Sequence, residues 1–184
     1  MAALKQGRDG GAWTMAEGGT RRAAIALGAN LGERQATLEE AVRLIATGIG
    51  AVTARSAWHE TAAMIHPDDP ARSYPAFLNG VAVARTALEP PEILERLHAI
   101  EARLGRERGA ETARWRPRLI DLDLIAVEDL VLDLPSLRLP HPEMHKRRFV
   151  LAPMAEVWPD WRHPLLCATT ADLLARLPQE ETGG

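Results

Sequence analysis

The chain has 184 residues, of which 46% are hydrophobic and 26% are charged, and its formal net charge is −3. This length and composition suit one globular domain with a real core, and the negative charge argues against a protein that chiefly neutralises nucleic-acid phosphates. The single cysteine, Cys167, and the lack of any apolar run near the roughly 20 residues that span a bilayer favour a cytoplasmic protein without a membrane segment.

The predicted elements alternate between strands and helices. The first 20 residues carry five glycines and no apolar periodicity, so we expect a disordered leader at 1–20 and a single domain at 21–184. Apolar patterning and Gly or Pro boundaries then predict, in chain order, a strand at 22–29, a helix at 33–47, strands at 50–58 and 77–86, a helix from Pro90 to Leu104, a strand at 119–127, and weak helical signals at 148–156 and 170–177.

The order strand, helix, strand, strand, helix, strand is the β-α-β-β-α-β pattern of a split βαβ fold. It predicts an α+β protein with a ferredoxin-like antiparallel sheet and helices on one face. Two long connections interrupt this pattern, at 62–75 and at 105–118. Loops of that length without regular structure are uncommon unless they serve a function.

Paired aspartates occur on the strand predicted at 119–127. Alternate side chains of a strand share a face, so Ile120, Leu122, Leu124 and Ala126 should pack on the core. Asp121 and Asp123 then point together to the other face, about 7 Å apart at their backbones. Two carboxylates so placed are ligands for Mg²⁺, which takes one or two carboxylates together with water and phosphate oxygens. The alternative is a solvated polar face, which antiparallel sheets often have.

An arginine-rich segment leads directly into these aspartates. Its guanidinium groups can bind phosphate oxygens in a bidentate manner, which together with a carboxylate-bound metal describes phosphoryl transfer. Two alternatives remain open for this segment: a nucleic-acid-binding module that uses the loop 103–118, and a solvated surface with local ion pairs. The arginines are Arg103, Arg106, Arg108, Arg114, Arg116 and Arg118.

Several separated motifs resemble the 6-hydroxymethyl-7,8-dihydropterin pyrophosphokinase family of folate biosynthesis. The resemblance covers about residues 23–165 and rests on ALGANLG at 26–32, FLNGV at 77–81, LGR at 104–106, RWRPRLIDLDL at 114–124 and PHPEMHKRRFVLAPMAEVWPDWRHP at 140–164. It implies a ferredoxin-like fold and transfer of the diphosphate of ATP to the pterin's hydroxymethyl oxygen, with release of AMP. Another small-molecule kinase or a nucleotidyltransferase built on the same sheet is the alternative within the enzymes.

The resemblance also implies roles for individual residues. Asp121 and Asp123 would ligate two Mg²⁺ ions, and Arg106 and Arg118 would orient ATP and stabilise the transferred charge. The implied ATP-binding residues are His98, Glu101, Arg108, Trp115, His141 and Arg147. No side chain stands out as a general base, so activation of the substrate hydroxyl by the metal is our hypothesis. We expect a monomer whose partners are ATP and the pterin, without nucleic acid.

The implied pterin pocket combines an aromatic ring with a carboxamide. Phe77 and Asn79 alternate on one strand and therefore share a face, and a ring plus a carboxamide suits a flat heterocycle. The resemblance adds Phe149 as a second stacking ring. Two departures from the family pattern stand out. In the arginine-rich loop, Arg116 stands where glycine is common. On the pterin side, no diproline follows Thr61.

Overall fold

The computed structural model describes residues 19–62, 75–106 and 118–178. In these ranges the elements are β1 (Arg21–Ala29), α1 (Arg34–Gly48), β2 (Ala51–Arg55), β3 (His59–Thr61), β4 (Phe77–Thr86), α2 (Pro90–Arg103), β5 (Asp121–Val127), β6 (Leu132–Leu134), β7 (Leu137–Leu139), a 3₁₀ turn (Met144–Lys146), α3 (Arg148–Val157) and α4 (Thr170–Ala175).

The main sheet is antiparallel and has the strand order β2-β4-β1-β5, with the short β3 also paired to β4. The strands β6 and β7 form a separate two-stranded sheet. The predicted antiparallel sheet with helices is therefore confirmed. The strand predicted at 50–58 is divided into β2 and β3 around Ser56, whose hydroxyl accepts the Val81 N–H at 3.0 Å.

Helices cover both faces of the sheet, so the prediction of helices on one face is wrong. On one face, β1 residues such as Ile25 and Leu27 pack with α1 and α2. On the other, Ala24 packs with α3 and with Trp158 and Trp161. The signal for α3 is weak in the sequence because the helix has only 10 residues and contains Pro153. Its apolar side chains nevertheless bury the second face of the sheet.

A β-bulge changes the side-chain alternation of β5. Opposite Ala24 and Ile25, β5 carries one extra residue, Ile125, between Ala126 and Leu124. As predicted, Leu124 packs with Ile120 and Leu122 on the α1–α2 face, but Ala126 lies on the α3 face. The prediction for Ala126 is therefore wrong, because an inserted residue reverses the faces of everything that follows it. The bulge lies after Asp123, so the two aspartates still share a face.

Local sequence signals set the ends of α2. Glu89 and Glu92 form a capping box in which each carboxylate accepts the other residue's backbone N–H, and Pro90 and Pro91 occupy the first turn, where no intrahelical N–H bond is lost. The chain leaves the helix through Gly105, whose φ of +89° suits glycine. Arg106 follows at once, so the end of α2 determines where its guanidinium group lies. No helix within the described ranges has the length and apolar character needed to span a membrane.

Candidate active site

The candidate site lies on the α3 face of the sheet, where three strands present one row of residues. Gly28 of β1 is paired with Asn79 on one side and with Asp121 on the other. Directly opposed residues of an antiparallel pair point to the same face. Two pairs further along, and so on the same face, Ala26 is opposed by Asp123. The row therefore places a carboxamide and two carboxylates on one surface, separated only by the small residues of β1.

Arginines bind the first of these carboxylates on both of its oxygens. The Arg106 Nη1 donates to Asp121 Oδ1 at 2.5 Å, and the Arg118 Nη1 donates to Asp121 Oδ2 at 2.8 Å. Arg147, which precedes α3, reaches the site from the other side and lies 3.8 Å from Asp123 Oδ2. The structure thus brings together five predicted site residues from three separate parts of the chain.

Glu101 contacts both Arg106 and the backbone of β5 from the core side of the site. Its side chain is fully buried at the end of α2, accepts the Leu122 N–H at 2.9 Å and pairs with Arg106. The structure therefore places Glu101 in the core behind the arginine. A buried carboxylate is costly without partners, and these two contacts satisfy it while fixing the position of Arg106 over Asp121.

The arginines neutralise the negative charge of Asp123 less fully than that of Asp121. Burial of the carboxyl group, and then the charge of Asp121, raise the pKa of Asp123 from 3.8 to about 6, while Arg147 opposes the shift. A carboxyl group whose ionisation is disfavoured by a neighbouring carboxylate gains from a bound cation, which relieves that repulsion.

The donor set at Asp121 and Asp123 fits magnesium. In the part of the chain that the structure describes, no group of three or more His, Cys, Asp or Glu side chains could enclose a metal. Two half-buried carboxylates on one face, next to arginines, suit an ion that shares its coordination with phosphate oxygens and water. We infer that these two aspartates would hold Mg²⁺ in the presence of a nucleotide.

Two of the predicted pterin residues, Phe77 and Asn79, lie beside Gly28. A Cβ at Gly28 would lie 2.8 Å from Asn79 Oδ1, so the Asn79 carboxamide could not stay where it is if this residue had a side chain. The same Cβ would lie 3.8 Å from Phe77 Cδ1, which is an ordinary contact. The Asn79 Nδ2 donates to Thr61 Oγ1 at 2.7 Å. This bond orients the carboxamide and directs its carbonyl oxygen over Gly28. Phe149 lies in the first turn of α3, with the Arg147 guanidinium 5.9 Å from the centre of its ring.

The position of His141 is fixed by hydrogen bonds to backbone groups of Ile125 and Glu143. Its N–H donates to the Ile125 carbonyl at 2.8 Å, and its Nδ1 accepts the Glu143 N–H at 3.2 Å. Burial, and then the positive charge of Arg147, lower the pKa of His141. The ring is therefore neutral at pH 7. With Nδ1 acting as an acceptor, its proton lies on Nε2, which makes that atom a donor for an anionic ligand.

The remaining predicted residues divide into two groups. His98 is partly exposed on α2, the helix that packs on the opposite face of the sheet from the aspartates. Arg108 and Trp115 lie outside the described residues, as does Arg116. Sequence reasoning assigned no site role to Thr61 or Gly28. The strand register alone reveals Gly28, because it shows which small residue lies between Asn79 and Asp121.

An antiparallel sheet that presents paired carboxylates between arginines suits an enzyme of phosphoryl transfer. The family model for 7,8-dihydro-6-hydroxymethylpterin-pyrophosphokinase (HPPK) matches residues 24–159. The chain therefore belongs to this family.

Individual relatives support the assignment. The chain is 39% identical over 171 residues to the 2-amino-4-hydroxy-6-hydroxymethyldihydropteridine pyrophosphokinase of Pseudomonas aeruginosa, and the match covers 86% of this chain and 98% of that one. It is 37% identical over 156 residues to the enzyme of the same name from Synechocystis, covering 84% of this chain and 75% of that one.

Solved structures share the fold. The crystal structure of wild-type Plasmodium falciparum HPPK-DHPS with pteroate matches with a TM-score of 0.68 at 14% identity. The match covers 89% of this chain but 43% of that longer chain. The mixed α/β fold with an antiparallel sheet is thus that of known HPPK structures.

Proposed function

We propose that this chain transfers the diphosphate of ATP to the hydroxymethyl oxygen of 6-hydroxymethyl-7,8-dihydropterin and releases AMP. The observation that carries the proposal is the row Asn79, Gly28, Asp121 on one face of the sheet. It sets a carboxamide that suits a heterocycle beside a carboxylate that suits a phosphate-bound metal. The two substrates are inferred from membership of the family and from the names of the relatives.

On the phosphate side of the site, charged side chains would bind and orient the phosphates of ATP. Arg106, Arg118 and Arg147 supply guanidinium groups where the ATP phosphates would lie, and Asp121 and Asp123 would hold Mg²⁺. The bound metal would neutralise charge on the phosphate oxygens and promote ionisation of the attacking hydroxyl group. His141 adds a neutral N–H donor from Nε2. Charge that develops on the phosphate oxygens is thereby met by preorganised donors.

The pterin side of the site orients the acceptor. We propose that the pterin ring stacks against Phe77 and Phe149. Asn79, which Thr61 holds in place, would form hydrogen bonds to the edge of the heterocycle. The hydroxymethyl oxygen then forms a bond to the β-phosphorus while the bond from that phosphorus to the α–β bridging oxygen breaks. AMP keeps the bridging oxygen, and the hydroxyl proton passes to solvent. Holding both reactants in this geometry supplies a large part of the rate.

We also propose the topology, the domain bounds, the number of metal ions, the oligomeric state and the location of the protein. The order of β1, α1, β2, β4, α2 and β5, with the spatial order β2-β4-β1-β5, supports a ferredoxin-like core. We also propose one domain at 21–184, two bound Mg²⁺ ions, a monomer and a cytoplasmic location. Against a nucleic-acid-binding module, the formal net charge of the chain is −3.

The products formed from ATP test this function. Protein incubated with ATP, Mg²⁺ and the reduced pterin should yield AMP and a pterin diphosphate in equal amounts, and a chelator should stop both. Formation of ADP would indicate a kinase that transfers one phosphoryl group. Release of free diphosphate would indicate a nucleotidyltransferase, and either result would overturn the proposal.

A further inference from the structure

Asn30 is a buried polar residue in the turn between β1 and α1, and it is only 2% exposed. Its Oδ1 accepts the Arg118 N–H at 2.6 Å, and its Nδ2 donates to the Pro75 carbonyl at 3.3 Å. Its own N–H donates to the Arg118 carbonyl at 3.1 Å. One side chain therefore joins segments that are 45 and 88 residues away in the sequence.

Both segments lead directly to site residues. Arg118 binds Asp121 Oδ2 on the phosphate side. The position of the Arg118 backbone therefore determines which atoms its guanidinium group can reach. Pro75 lies two residues before Phe77, on the pterin side. Asn30 is thus bonded to the backbone on both sides of the row that carries the proposed reaction.

The chemistry of the contact is specific to a carboxamide. The two partners are a backbone N–H and a backbone carbonyl, so the side chain must accept at one atom and donate at another. An alanine would leave both partners without this bond, and buried polar groups that lose their partners destabilise the local structure. A displacement of about 1 Å of either segment is enough to reduce turnover by about 100-fold.

We propose that Asn30 is a positioning residue that holds the backbone at Arg118 and at Pro75 in one fixed relation, so that the nucleotide and the pterin are presented to each other. The inference rests on the proposed function, because it assigns the two segments to the two substrates. It goes beyond that function in assigning a role to a buried residue outside the predicted ATP and pterin sites.

Two other residues provide matched comparisons. Thr86, also 2% exposed, donates from Oγ1 to the Ile49 carbonyl at 2.6 Å and accepts the Leu88 N–H at 3.0 Å. It lies seven residues along β4 from Asn79, roughly 23 Å away. Arg34 donates to the Ala76 carbonyl at 2.7 Å and to Glu60 at 2.9 Å, so it fixes the pterin-side segment only.

The experiment compares Asn30→Ala, Thr86→Val and Arg34→Met in the full chain, at a temperature where all three are folded. We expect Asn30→Ala to lower kcat by about 100-fold. Thr86→Val should keep kcat within about two-fold despite a similar loss of thermal stability, since its lost bonds are equally buried but distant. Arg34→Met should raise the KM for the pterin and leave kcat nearly unchanged.

A second readout does not depend on turnover. Amide hydrogen exchange at Arg118, followed by NMR in the absence of substrates, should become faster in Asn30→Ala than in Thr86→Val, because the Arg118 N–H loses its acceptor. Equal exchange at Arg118 in these two variants, or an equal fall in kcat, would overturn the proposal. An equal fall in kcat for Arg34→Met and Asn30→Ala would overturn the part assigned to Arg118. A native protein that forms no AMP would overturn the proposed function, and the exchange result would still decide the role of Asn30.

Discussion

At the scale of single residues, the charges of the site are arranged so that a bound nucleotide can replace contacts that the protein makes with itself. Both oxygens of Asp121 accept from arginines, while Asp123 has Arg147 no closer than 3.8 Å. Phosphate oxygens offer the arginines stronger bidentate partners than one shared carboxylate does. Binding of ATP would therefore draw Arg106 and Arg118 toward the phosphates and leave Asp121 available to the metal.

The raised pKa of Asp123 predicts how nucleotide binding depends on pH. The carboxyl group must be ionised to hold a cation, so protons compete with Mg²⁺ below the pKa of about 6. We expect the affinity for an ATP analogue with Mg²⁺ to be nearly constant above about pH 7. It should fall by up to about ten-fold for each pH unit below 6, as the uptake of one proton requires.

Calorimetric titration at several pH values measures this dependence. Asp123→Asn is the matched control and should remove most of the dependence together with most of the metal-dependent affinity. The same shift has a consequence for stability: the folded state binds the extra proton between pH 3.8 and about 6, so this group makes the metal-free protein less stable as pH rises through that window. An affinity that does not change between about pH 5 and pH 8 would contradict the assignment of Asp123.

Gly28 gives a second prediction at this scale. In Gly28→Ala the new Cβ would meet Asn79 Oδ1 at 2.8 Å, so the carboxamide must move away from its present position. We expect the KM for the pterin to rise about ten-fold or more, which corresponds to about 1.4 kcal/mol. Gly48→Ala is the control, because a Cβ at Gly48 meets nothing within 4 Å. Steady-state kinetics with both variants would count against the pocket if their pterin KM values were equal.

At the scale of elements, α3 forms one wall of the site and also clamps the sheet. Its N-terminal end carries Arg147 and Phe149, and near its C-terminal end Glu156 reaches the edge of the sheet. Glu156 accepts the Ala57 N–H at 2.8 Å and contacts His59 Nε2 at 2.5 Å. The C-terminal part of the helix is thus fixed relative to β3, which carries Thr61, the partner of Asn79.

Removing the contact at Glu156 should loosen this clamp. For Glu156→Ala we expect the free energy of unfolding to fall by about 1 kcal/mol, a value kept low because the Glu156 side chain is 39% exposed. Urea unfolding measures the loss. Glu143→Ala, which removes a carboxylate that pairs with Lys146 on the surface, should change the stability very little. Equal losses in the two variants would argue against the clamp.

The elements also show where sequence patterns are sufficient. The bounds of β4 and α2 follow closely from apolar periodicity, prolines and a terminal glycine, because these signals are local. Ala126 was placed on the wrong face because a bulge depends on how β5 pairs with β1, which no pattern within β5 reveals. The hairpin of β6 and β7 was not predicted, since strands of three residues are too short to show alternation.

At the scale of the whole molecule, the site is assembled from distant parts of the chain on one sheet face. The shared face of Asp121 and Asp123 was predictable, because alternation within one strand decides it. The burial of Glu101, the bond from Thr61 to Asn79 and the position of Gly28 were not predictable in this way. They depend on strand register and on helix packing, which bring together residues that are far apart in the sequence.

The most direct test of the central claim compares two aspartates in the same assay. Asp123 lies in the site, whereas Asp133, in the hairpin of β6 and β7, is 78% exposed and pairs with Arg138. With ATP, Mg²⁺ and the reduced pterin, Asp133→Ala should form AMP at the native rate. Asp123→Ala should be slower by about 10²–10³-fold or more, as expected when a major electrostatic contribution to the transition state is lost. Undiminished AMP formation by Asp123→Ala would contradict the assignment of the phosphoryl-transfer site to β5.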